Sequence, residues 1–482
     1  MAQNVDWVVI KFGGTSVSTL SNWRNIASIL RARIDEGLRP VLVCSALAKV
    51  SDALEGMLSG ASSKGHKTVL AELQRKHAAL AEDLGLNFEK LLGPSFDELS
   101  RLARGAALTG EVSPRLHARV MAFGELMSTK LGAAFLETQG LKSSWQDARE
   151  CMVAQDNEWQ GPRQKYLSAS CTWEPDAELQ GRFAAHDAAV IVTQGFIARN
   201  QEGDTVLLGR GGSDTSASYF AAKLKAKRCE IWTDVPGVYS ANPREIPNAR
   251  LLKRLDYEEA QEITSMGAKV LHPRCLAPCR DHGIPIHILC TTHPDLEGTI
   301  ISPETPRTRA EVKAISSKYN ITLISMESLG MWQQVGFLAD VASCFKKRGI
   351  SIDLVSTSQT NVTVSLDHTA NALNPELLDL LQADLTKFCK VKRISPCASV
   401  SLVGRNIRAI LHQLGPALAV FEDAKIHLVS QAANDLNFTF VVDEGEALRL
   451  ADALHHLLFE GHGNDDLLGP TWSEVFENKI AV

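Results

Sequence analysis

The first 300 residues alternate between short apolar runs and longer amphipathic segments. The apolar runs predict strands, and the nearly continuous one at 188–193 is typical of a strand buried on both faces. The segments between them repeat apolar residues at helical spacing. Strands are predicted at 7–10, 40–44, 188–193, 205–208, 228–233 and 284–289, with helices at 22–36, 215–225 and 257–266. This alternation predicts an α/β fold, in which helices cover both faces of an open, mostly parallel sheet.

A polar stretch with two prolines, within 301–310, separates this part from a C-terminal repeat. The order strand, helix, strand, strand, helix occurs twice, which indicates two ferredoxin-like βαββα modules. We therefore expect one domain over 1–300, a linker at 301–310, modules at 311–395 and 396–460, and a tail at 461–482. The apolar run at 312–316 is a candidate extra strand that could complete the second module.

Composition narrows the functional class. The 482 residues are 45% hydrophobic and 22% charged, as in a globular protein with a full core. A net charge of −6 disfavours a general nucleic-acid binder. We expect a cytoplasmic protein, because the N-terminus has no signal-peptide pattern and no apolar run reaches the ~18 residues of a membrane span. The ten cysteines lie mostly in apolar segments, which favours reduced core thiols.

Two glycine-rich turns, at 11–16 and 209–214, lie where a predicted strand gives way to a helix. Such turns present bare backbone N–H groups that hold phosphate. Neither is a Walker A or a G-x-G-x-x-G motif. Lys11 could neutralise a transferring phosphoryl group, and the fork of Arg210 suits a carboxylate. Asp214 could act in catalysis or merely cap the helix that it opens. Together the turns indicate phosphoryl chemistry.

Three further motifs contain candidate residues. A loop at 233–239 follows a strand, where open α/β sheets bind ligands, so Tyr239 could lie along a nucleobase or simply pack in the core. Arg244, a few residues later, could reach phosphate. The motif at 267–273 contains a lysine near a turn and a histidine that we interpret as structural. Glu125 lies in an apolar helix, where its charge needs a cationic partner, either a ligand ammonium group or a protein arginine.

Five motifs in this order resemble those of the aspartokinases: 11–16, 123–128, 209–214, 233–239 and 267–273, followed by the doubled ferredoxin-like tail. The resemblance implies an amino-acid-kinase catalytic domain joined to two ACT domains. It also implies the reaction of ATP with L-aspartate to give ADP and 4-phospho-L-aspartate, which begins lysine, threonine and methionine biosynthesis. Two alternatives stay open: a kinase for another amino-acid carboxylate, and a non-catalytic amino-acid sensor.

The resemblance also implies roles for individual residues. Those expected to be catalytic are Lys11, Asp214 and Lys269. Those expected at ATP are Gly13, Gly14, Thr233, Asp234, Tyr239, Arg244, Lys269 and Val270. Those expected at aspartate are Ser51, Glu125, Arg210, Gly211, Gly212 and Ser213. ATP would arrive with Mg²⁺ bridging its phosphates, and no protein residue is assigned to the metal.

An amino-acid effector is expected in the first ACT module. Its expected contacts are Met331, Gly336, Phe337, Leu338, Ala339, Asp340, Ile352, Asp353, Thr357, Ser358 and Gln359. Gln359 stands where a lysine-sensitive relative has glutamate, which weakens the case for a cationic effector; lysine remains the first choice and threonine the second. Because ACT modules usually pair edge to edge between subunits, we expect a homodimer or a larger homo-oligomer.

We predict that Arg210→Lys raises the KM for aspartate far more than the KM for ATP. The substitution keeps the charge but removes the two-pronged guanidinium that would hold the α-carboxylate. Steady-state kinetics with each substrate varied in turn measures the two constants. An equal rise in both would show that Arg210 does not hold the carboxylate.

Overall fold

The computed structural model describes residues 5–59, 65–156, 160–267, 270–303, 311–328, 335–371, 373–410, 415–459 and 467–476. The chain divides into two compact units. The first unit comprises Met1–Val238, Lys253–Tyr257 and Lys269–Thr305. The second unit comprises Tyr239–Leu252, Glu258–Ala268 and Pro306–Val482.

The secondary structure follows in chain order. The strands are β1 (Trp7–Phe12), β2 (Arg39–Cys44), β3 (Ser143–Gln146), β4 (Val190–Gln194), β5 (Ile197–Arg199), β6 (Thr205–Leu207), β7 (Arg228–Thr233), β8 (Arg250–Leu252), β9 (Arg254–Leu255), β10 (Ile286–Cys290), β11 (Thr299–Ile301), β12 (Glu311–Glu327), β13 (Val355–Thr357), β14 (Asn361–Asp367), β15 (Lys390–Arg405), β16 (Ile426–Ser430), β17 (Asn437–Asp443) and β18 (Leu468–Thr471). The α-helices are α1 (Leu20–Asp35), α2 (Val50–Leu58), α3 (Gly65–Asp83), α4 (Phe88–Thr109), α5 (Pro114–Met121), α6 (Phe123–Thr138), α7 (Pro162–Leu167), α8 (Ala177–Ala185), α9 (Gly212–Leu224), α10 (Tyr257–Ser265), α11 (Leu276–Asp281), α12 (Phe337–Lys347), α13 (His368–Asn371), α14 (Pro375–Leu385), α15 (Ile407–Ile410), α16 (Gly415–Leu418), α17 (Ala447–Phe459) and α18 (Trp472–Phe476). Short 3₁₀ turns cover Ala148–Glu150, Pro273–Cys275, Ala419–Phe421 and Glu444–Glu446.

An eight-stranded sheet forms the centre of the first unit, in the order β3-β4-β2-β1-β7-β10-β11-β9. All its pairings are parallel except that of β10 with β11. All six residues of β1 are buried. Because alternate residues of a strand point to opposite faces, both faces of the sheet are covered at this strand. The predicted α/β fold with a mostly parallel sheet is confirmed.

An antiparallel sheet of six strands forms the core of the second unit, in the order β13-β14-β12-β15-β17-β16. The long strands β12 and β15 pair along their length and belong to both predicted modules. The run at 312–316 is the first part of β12, where Val312 pairs with Gly404 and Ser316 pairs with Ser401. The register shifts between Lys318 and Ile321, where one module gives way to the next. This antiparallel sheet with its helices agrees with the predicted ferredoxin-like modules.

The division by contacts differs from the predicted domain of 1–300, because two of its segments belong to the second unit. Strand β8 pairs with β18, so part of the predicted tail is folded against it. Glu259 of α10 is buried and forms ion pairs with Lys313, at 2.9 Å, and Arg405, at 3.3 Å. A buried charge of this kind must stay paired, which ties α10 to β12 and β15.

All ten cysteines are free, and nine of them are buried. This agrees with the prediction of reduced thiols in the core. Among the described helices, none combines the length and the apolar character that crossing a bilayer requires.

We predict that Gly132→Ala destabilises the first unit by about 1–3 kcal/mol, the usual cost of overpacking. A Cβ on Gly132 would lie 2.1 Å from Cη2 of Trp23, a fully buried ring whose indole N–H donates to the Val17 carbonyl at 2.9 Å. The ring therefore has no room to retreat. Thermal unfolding of the purified chain measures the effect.

The matched control is Gly181→Ala in α8, where an added Cβ would meet nothing within 4 Å. Alanine is the better helix former by up to ~1 kcal/mol, so this variant should melt at the same temperature or higher. If both variants melted alike, close packing between α1 and α6 would not be the reason for glycine at 132.

Candidate active site

The parallel strands β1, β2, β4, β7 and β10 bring their carboxyl ends to one edge of the sheet. Ligands of open α/β sheets bind at this edge. The first glycine-rich turn follows β1 here, and Thr233 and Asp234 follow β7, the neighbouring strand. Thr233 donates its hydroxyl to the Asp234 carboxylate at 3.1 Å. Four of the predicted site residues, Gly13, Gly14, Thr233 and Asp234, thus lie at the ends of two adjacent strands.

An ion pair joins the two glycine-rich turns. Nζ of Lys11, at the end of β1, lies 2.6 Å from Oδ1 of Asp214, in the first turn of α9. Both side chains are mostly buried, with 11% and 14% of their surfaces exposed. Helix α9 starts from Gly211, which has no side chain to cap it. Asp214 therefore pairs with the lysine and is not the cap of its helix.

The second turn depends on backbone that only glycine tolerates well. Gly211 has φ +67°, and a Cβ there would lie 2.3 Å from the side chain of His272. His272 accepts a hydrogen bond from the backbone N–H of Arg274 at 3.3 Å, as expected for a structural histidine. Burial lowers the pKa of His272, and the nearby arginines lower it further. Arg210, between the glycines, is exposed and has no ion-pair partner among the described residues.

The loop after β2 lies directly against the first turn. The backbone N–H of Ala48 donates to the Gly14 carbonyl, at 3.2 Å, and to the Ser18 hydroxyl, at 2.9 Å. A Cβ on Gly14 would lie 2.7 Å from the Ala46 carbonyl oxygen, so this approach requires glycine. The Lys76 amine donates to the Ala48 carbonyl from the other side. These contacts fix the two loops as one wall of the site.

Glu125 faces this wall from the first turn of α6, with only 3% of the residue exposed. Its Oε1 accepts a hydrogen bond from the Ala46 N–H at 3.3 Å, while its Oε2 is buried without a partner among the described residues. Burial raises the pKa of this carboxyl to about 8. Of the two partners expected from the sequence, a protein arginine is absent from the described residues around it. A ligand ammonium group therefore remains the expected partner of this buried oxygen.

The other predicted site residues of the first unit differ from one another in burial and in the element that holds them. Ser51 is the second residue of α2 and is half-buried. Gly212 and Ser213 open α9. Ser213 packs closely on Gly195, since a Cβ added to Gly195 would lie 2.6 Å from the Cβ of Ser213. Val270 is half-buried in a turn, and Lys269 lies outside the described residues.

Tyr239 and Arg244 belong to the second unit. Tyr239 is 4% exposed in a hydrophobic cluster, and its ring meets that of Trp472 edge-on at 5.5 Å. Of the two interpretations of Tyr239, packing is thus the one that the structure shows directly. Arg244 is exposed. Contact of either residue with a nucleotide stays a prediction.

Most of the predicted effector residues cluster around the start of α12 and the strand β13. Phe337 is buried and Ile352 half-buried, and Met331 lies outside the described residues. The exposed members are Gly336, Leu338, Ala339, Asp340, Asp353, Thr357, Ser358 and Gln359. Lys318 of β12 bridges Asp353, at 3.2 Å, and Asp367, at 2.9 Å. Asp340 has no ion-pair partner among the described residues.

Sequence reasoning missed the residues that support the site through their backbone. Ala46 and Ala48 act through N–H and C=O groups, which every residue type provides, so their sequence gives no signal. Thr291, after β10, was also missed, and its hydroxyl hydrogen-bonds with that of Ser16 in the first turn at 2.8 Å. The sequence did contain a signal for Thr291, because this threonine follows a strand that was predicted to end at this edge of the sheet.

Comparison with known proteins identifies the family of the chain. The model of the amino acid kinase family matches residues 6–290. The chain is 31% identical to the lysine-sensitive aspartokinase 3 of Escherichia coli K12, over 94% of this chain and 99% of that protein. The crystal structure of E. coli aspartokinase III with aspartate and ADP matches with a TM-score of 0.81 at 30% identity, covering 94% of this chain and 100% of that one. The structure of the same enzyme with lysine and aspartate matches with a TM-score of 0.74 at 30% identity, covering 95% and 100%. The chain belongs to the amino acid kinase family and, within it, to the aspartokinases, which phosphorylate aspartate.

Proposed function

We propose that this aspartate kinase transfers the γ-phosphoryl group of ATP to the β-carboxylate of L-aspartate at the edge formed by β1, β2 and β7, and that an end-product amino acid regulates it. The observation that carries the proposal is the combination of the buried Lys11–Asp214 pair with Oε2 of Glu125, which has no partner in the described part of the chain. The first provides a charge for a phosphoryl group, and the second a site for an ammonium group. The product, 4-phospho-L-aspartate, would enter lysine, threonine and methionine biosynthesis.

Aspartate offers an ammonium group and two carboxylates, and the site offers complementary groups. Glu125 would pair with the α-ammonium group, which supplies the cation that its buried oxygen lacks. The exposed fork of Arg210 would hold the α-carboxylate in a bidentate pair. Ser51, Gly211, Gly212 and Ser213 would complete the pocket for aspartate. The β-carboxylate is then the group that remains free to attack.

The phosphoryl end of the site is built for charge neutralisation. A carboxylate is already an anion at neutral pH, so the attack requires no general base. Lys11 would stabilise the transferring group, and Asp214 would hold the lysine in place. Gly13, Gly14, Thr233, Asp234 and Val270 would contact ATP, together with Lys269, Tyr239 and Arg244. The few carboxylates at this edge suit Mg²⁺, which proteins usually hold through substrate phosphates and one or two carboxylates.

Regulation would occur in the second unit, at the start of α12 and along β13. The relative that is 31% identical is named a lysine-sensitive enzyme, and the matching crystal structure contains lysine with aspartate. Asp340 is exposed in the first turn of α12 and has no ion pair with any described residue, so it could receive an effector's ammonium group. Lysine is the favoured effector, and threonine the second candidate. Pairing of ACT modules between subunits would make the enzyme a homodimer or larger.

The direct test is a hydroxamate assay for acyl phosphate with purified protein, ATP, Mg²⁺ and one amino acid at a time. Product with aspartate alone supports the proposal. Product with glutamate but not with aspartate would favour a kinase for another carboxylate. No product with either would favour the amino-acid sensor.

We predict that Lys11→Ala lowers kcat by ~10²–10³, the cost of losing one preorganised charge contact. Lys142→Ala is a matched control, because this lysine pairs with Asp187 on the surface and should leave kcat unchanged. Since Lys11 and Asp214 touch, the double variant Lys11→Ala/Asp214→Ala should lose little more than the worse single variant. Fully multiplicative losses would show that the two residues act independently.

We predict that kcat/KM for aspartate rises with pH up to about 8 and then levels off. The pKa of the Glu125 carboxyl in the free enzyme is raised to about 8 by burial, and only the carboxylate can pair with an ammonium group. Below this pKa the ionised fraction falls, and aspartate must expel the proton to bind. Glu125→Gln should flatten the profile and raise the KM for aspartate roughly 10–100-fold, the worth of a hydrogen bond to a charged group. The control is kcat/KM for ATP, which should not follow this profile; an unchanged slope in Glu125→Gln would contradict the assignment.

We predict that calorimetry detects binding of lysine, or else of threonine, to the full chain, and that Asp340→Asn weakens it. The amide removes the negative charge but keeps the size of the side chain. Asp379→Asn is the matched control, because Asp379 is an exposed carboxylate on α14, in the same unit but outside the proposed effector site. Heat from neither amino acid, nor from methionine, would show that the modules bind no end product.

A further inference from the structure

A cysteine, a histidine and an aspartate converge on three adjacent strands of the second unit. Cys397 lies on β15, His427 on β16 and Asp443 on β17. Their potential ligand atoms all lie within 4.8 Å of one another, the only such group of three or more His, Cys, Asp and Glu found in the part of the chain that the structure describes. None of the three belongs to the proposed active site.

Strand pairing explains why the three side chains meet. Cys397 and Asp443 are direct cross-strand partners between β15 and β17. The register of β16 against β17 shifts between Ile426 and Leu428, so His427 lies at the irregularity and its side chain reaches the Asp443 carboxylate. Nε2 of His427 is 2.8 Å from Oδ1 of Asp443. The group is therefore fixed by the backbone and does not depend on long, flexible side chains.

The types of donor decide which ions the group can bind. A thiolate and an imidazole favour Zn²⁺ and its neighbours among the transition metals over Mg²⁺ and Ca²⁺, which prefer oxygen. Three protein ligands with one open position is a common arrangement for zinc. A tetrahedral zinc with bonds of about 2.0–2.3 Å holds its ligand atoms roughly 3.3–3.8 Å apart. The ligand atoms on His427 and Asp443 are 2.8 Å apart, and all three ligand atoms lie within 4.8 Å of one another. Shifts of about 1 Å or less would therefore bring them to the distances that zinc needs.

The surroundings attract a cation. Asp443 is more than half exposed, which provides a path from solvent, while Cys397 is buried and the His427 side chain is 5% exposed. Glu444, next in the chain, accepts a hydrogen bond from the Asn320 N–H at 2.6 Å and adds a second negative charge. Burial, together with the nearby charges of Asp443 and Glu444, raises the pKa of the Cys397 thiol to about 11. A bound cation would favour the thiolate over the thiol.

We propose that Cys397, His427 and Asp443 form a site for Zn²⁺ or a similar divalent transition metal that links three strands of the second ACT module. The ion would replace the hydrogen bond between His427 and Asp443 and the weak one from the Cys397 thiol to the Ile394 carbonyl, and the thiol proton would pass to solvent. Because it binds the folded state, it would stabilise this module by mass action. This site is separate from the residues proposed to bind substrates or the amino-acid effector.

The test uses the full-length chain, treated with chelator, desalted and kept free of nucleotide. Titration with Co²⁺ should produce a thiolate-to-cobalt charge-transfer absorption that saturates at one equivalent and disappears when Zn²⁺ is added. Zinc should also raise the melting temperature. Since binding releases the thiol proton, the affinity should increase by about tenfold per pH unit between pH 7 and 8.5.

Variants separate this group from the other cysteines. Cys397→Ser should abolish the absorption, and His427→Asn should weaken binding by more than the 10–100-fold typical of changes to an outer-shell partner. Cys389→Ser is the matched control. Its half-buried thiol lies outside the group and donates to the Leu385 carbonyl, just as the Cys397 thiol donates to the Ile394 carbonyl at 3.7 Å. Kinase activity without effector checks that each variant folds. No absorption in the unmodified chain, or an undiminished one in Cys397→Ser, would overturn the proposal and leave an ordinary His–Asp pair beside a core thiol.

Discussion

The ion pair between Lys11 and Asp214 is the interaction on which the rest of the site depends. It joins the end of β1 to the start of α9, two elements separated by about 200 residues. A mostly buried charge needs a partner, so the pair holds the two glycine-rich turns together. Both turns therefore meet at one lysine, whose charge is the group proposed to neutralise the transferring phosphoryl group.

Glu125 is a buried polar group without a partner among the described residues, and in the proposed function this group recognises the ligand. A buried carboxylate oxygen without a partner is costly, and burial keeps the carboxyl protonated until a cation arrives. In the proposed binding mode, the ammonium group of aspartate provides that cation. Binding of aspartate and release of a proton would then be one event, so this single contact would give both specificity and pH dependence.

The second unit is held together by strands that belong to two modules at once. Strands β12 and β15 pair through both, and the change of register near Lys318 and Ile321 marks the boundary. The proposed metal site lies beside this boundary, since Cys397 is the cross-strand partner of Ile321. The buried Glu259 adds α10 to the same sheet through Lys313 and Arg405. Charge pairs and strand pairing thus draw segments from distant parts of the chain into this unit.

The sequence by itself determined the α/β alternation, the two glycine-rich turns and the doubled module, because each depends on local periodicity and on the backbone freedom of glycine. It also identified Lys11, Arg210 and Asp214 as candidate site residues, because few residue types carry the charges that phosphoryl transfer and carboxylate binding need. Only the tertiary structure decided that Asp214 pairs with Lys11 and does not cap its helix, that Glu125 has no arginine among the described residues around it, and that Tyr239 packs in the second unit. These outcomes depend on contacts between residues far apart in the chain, and local pattern carries no information about which distant partner a side chain will meet.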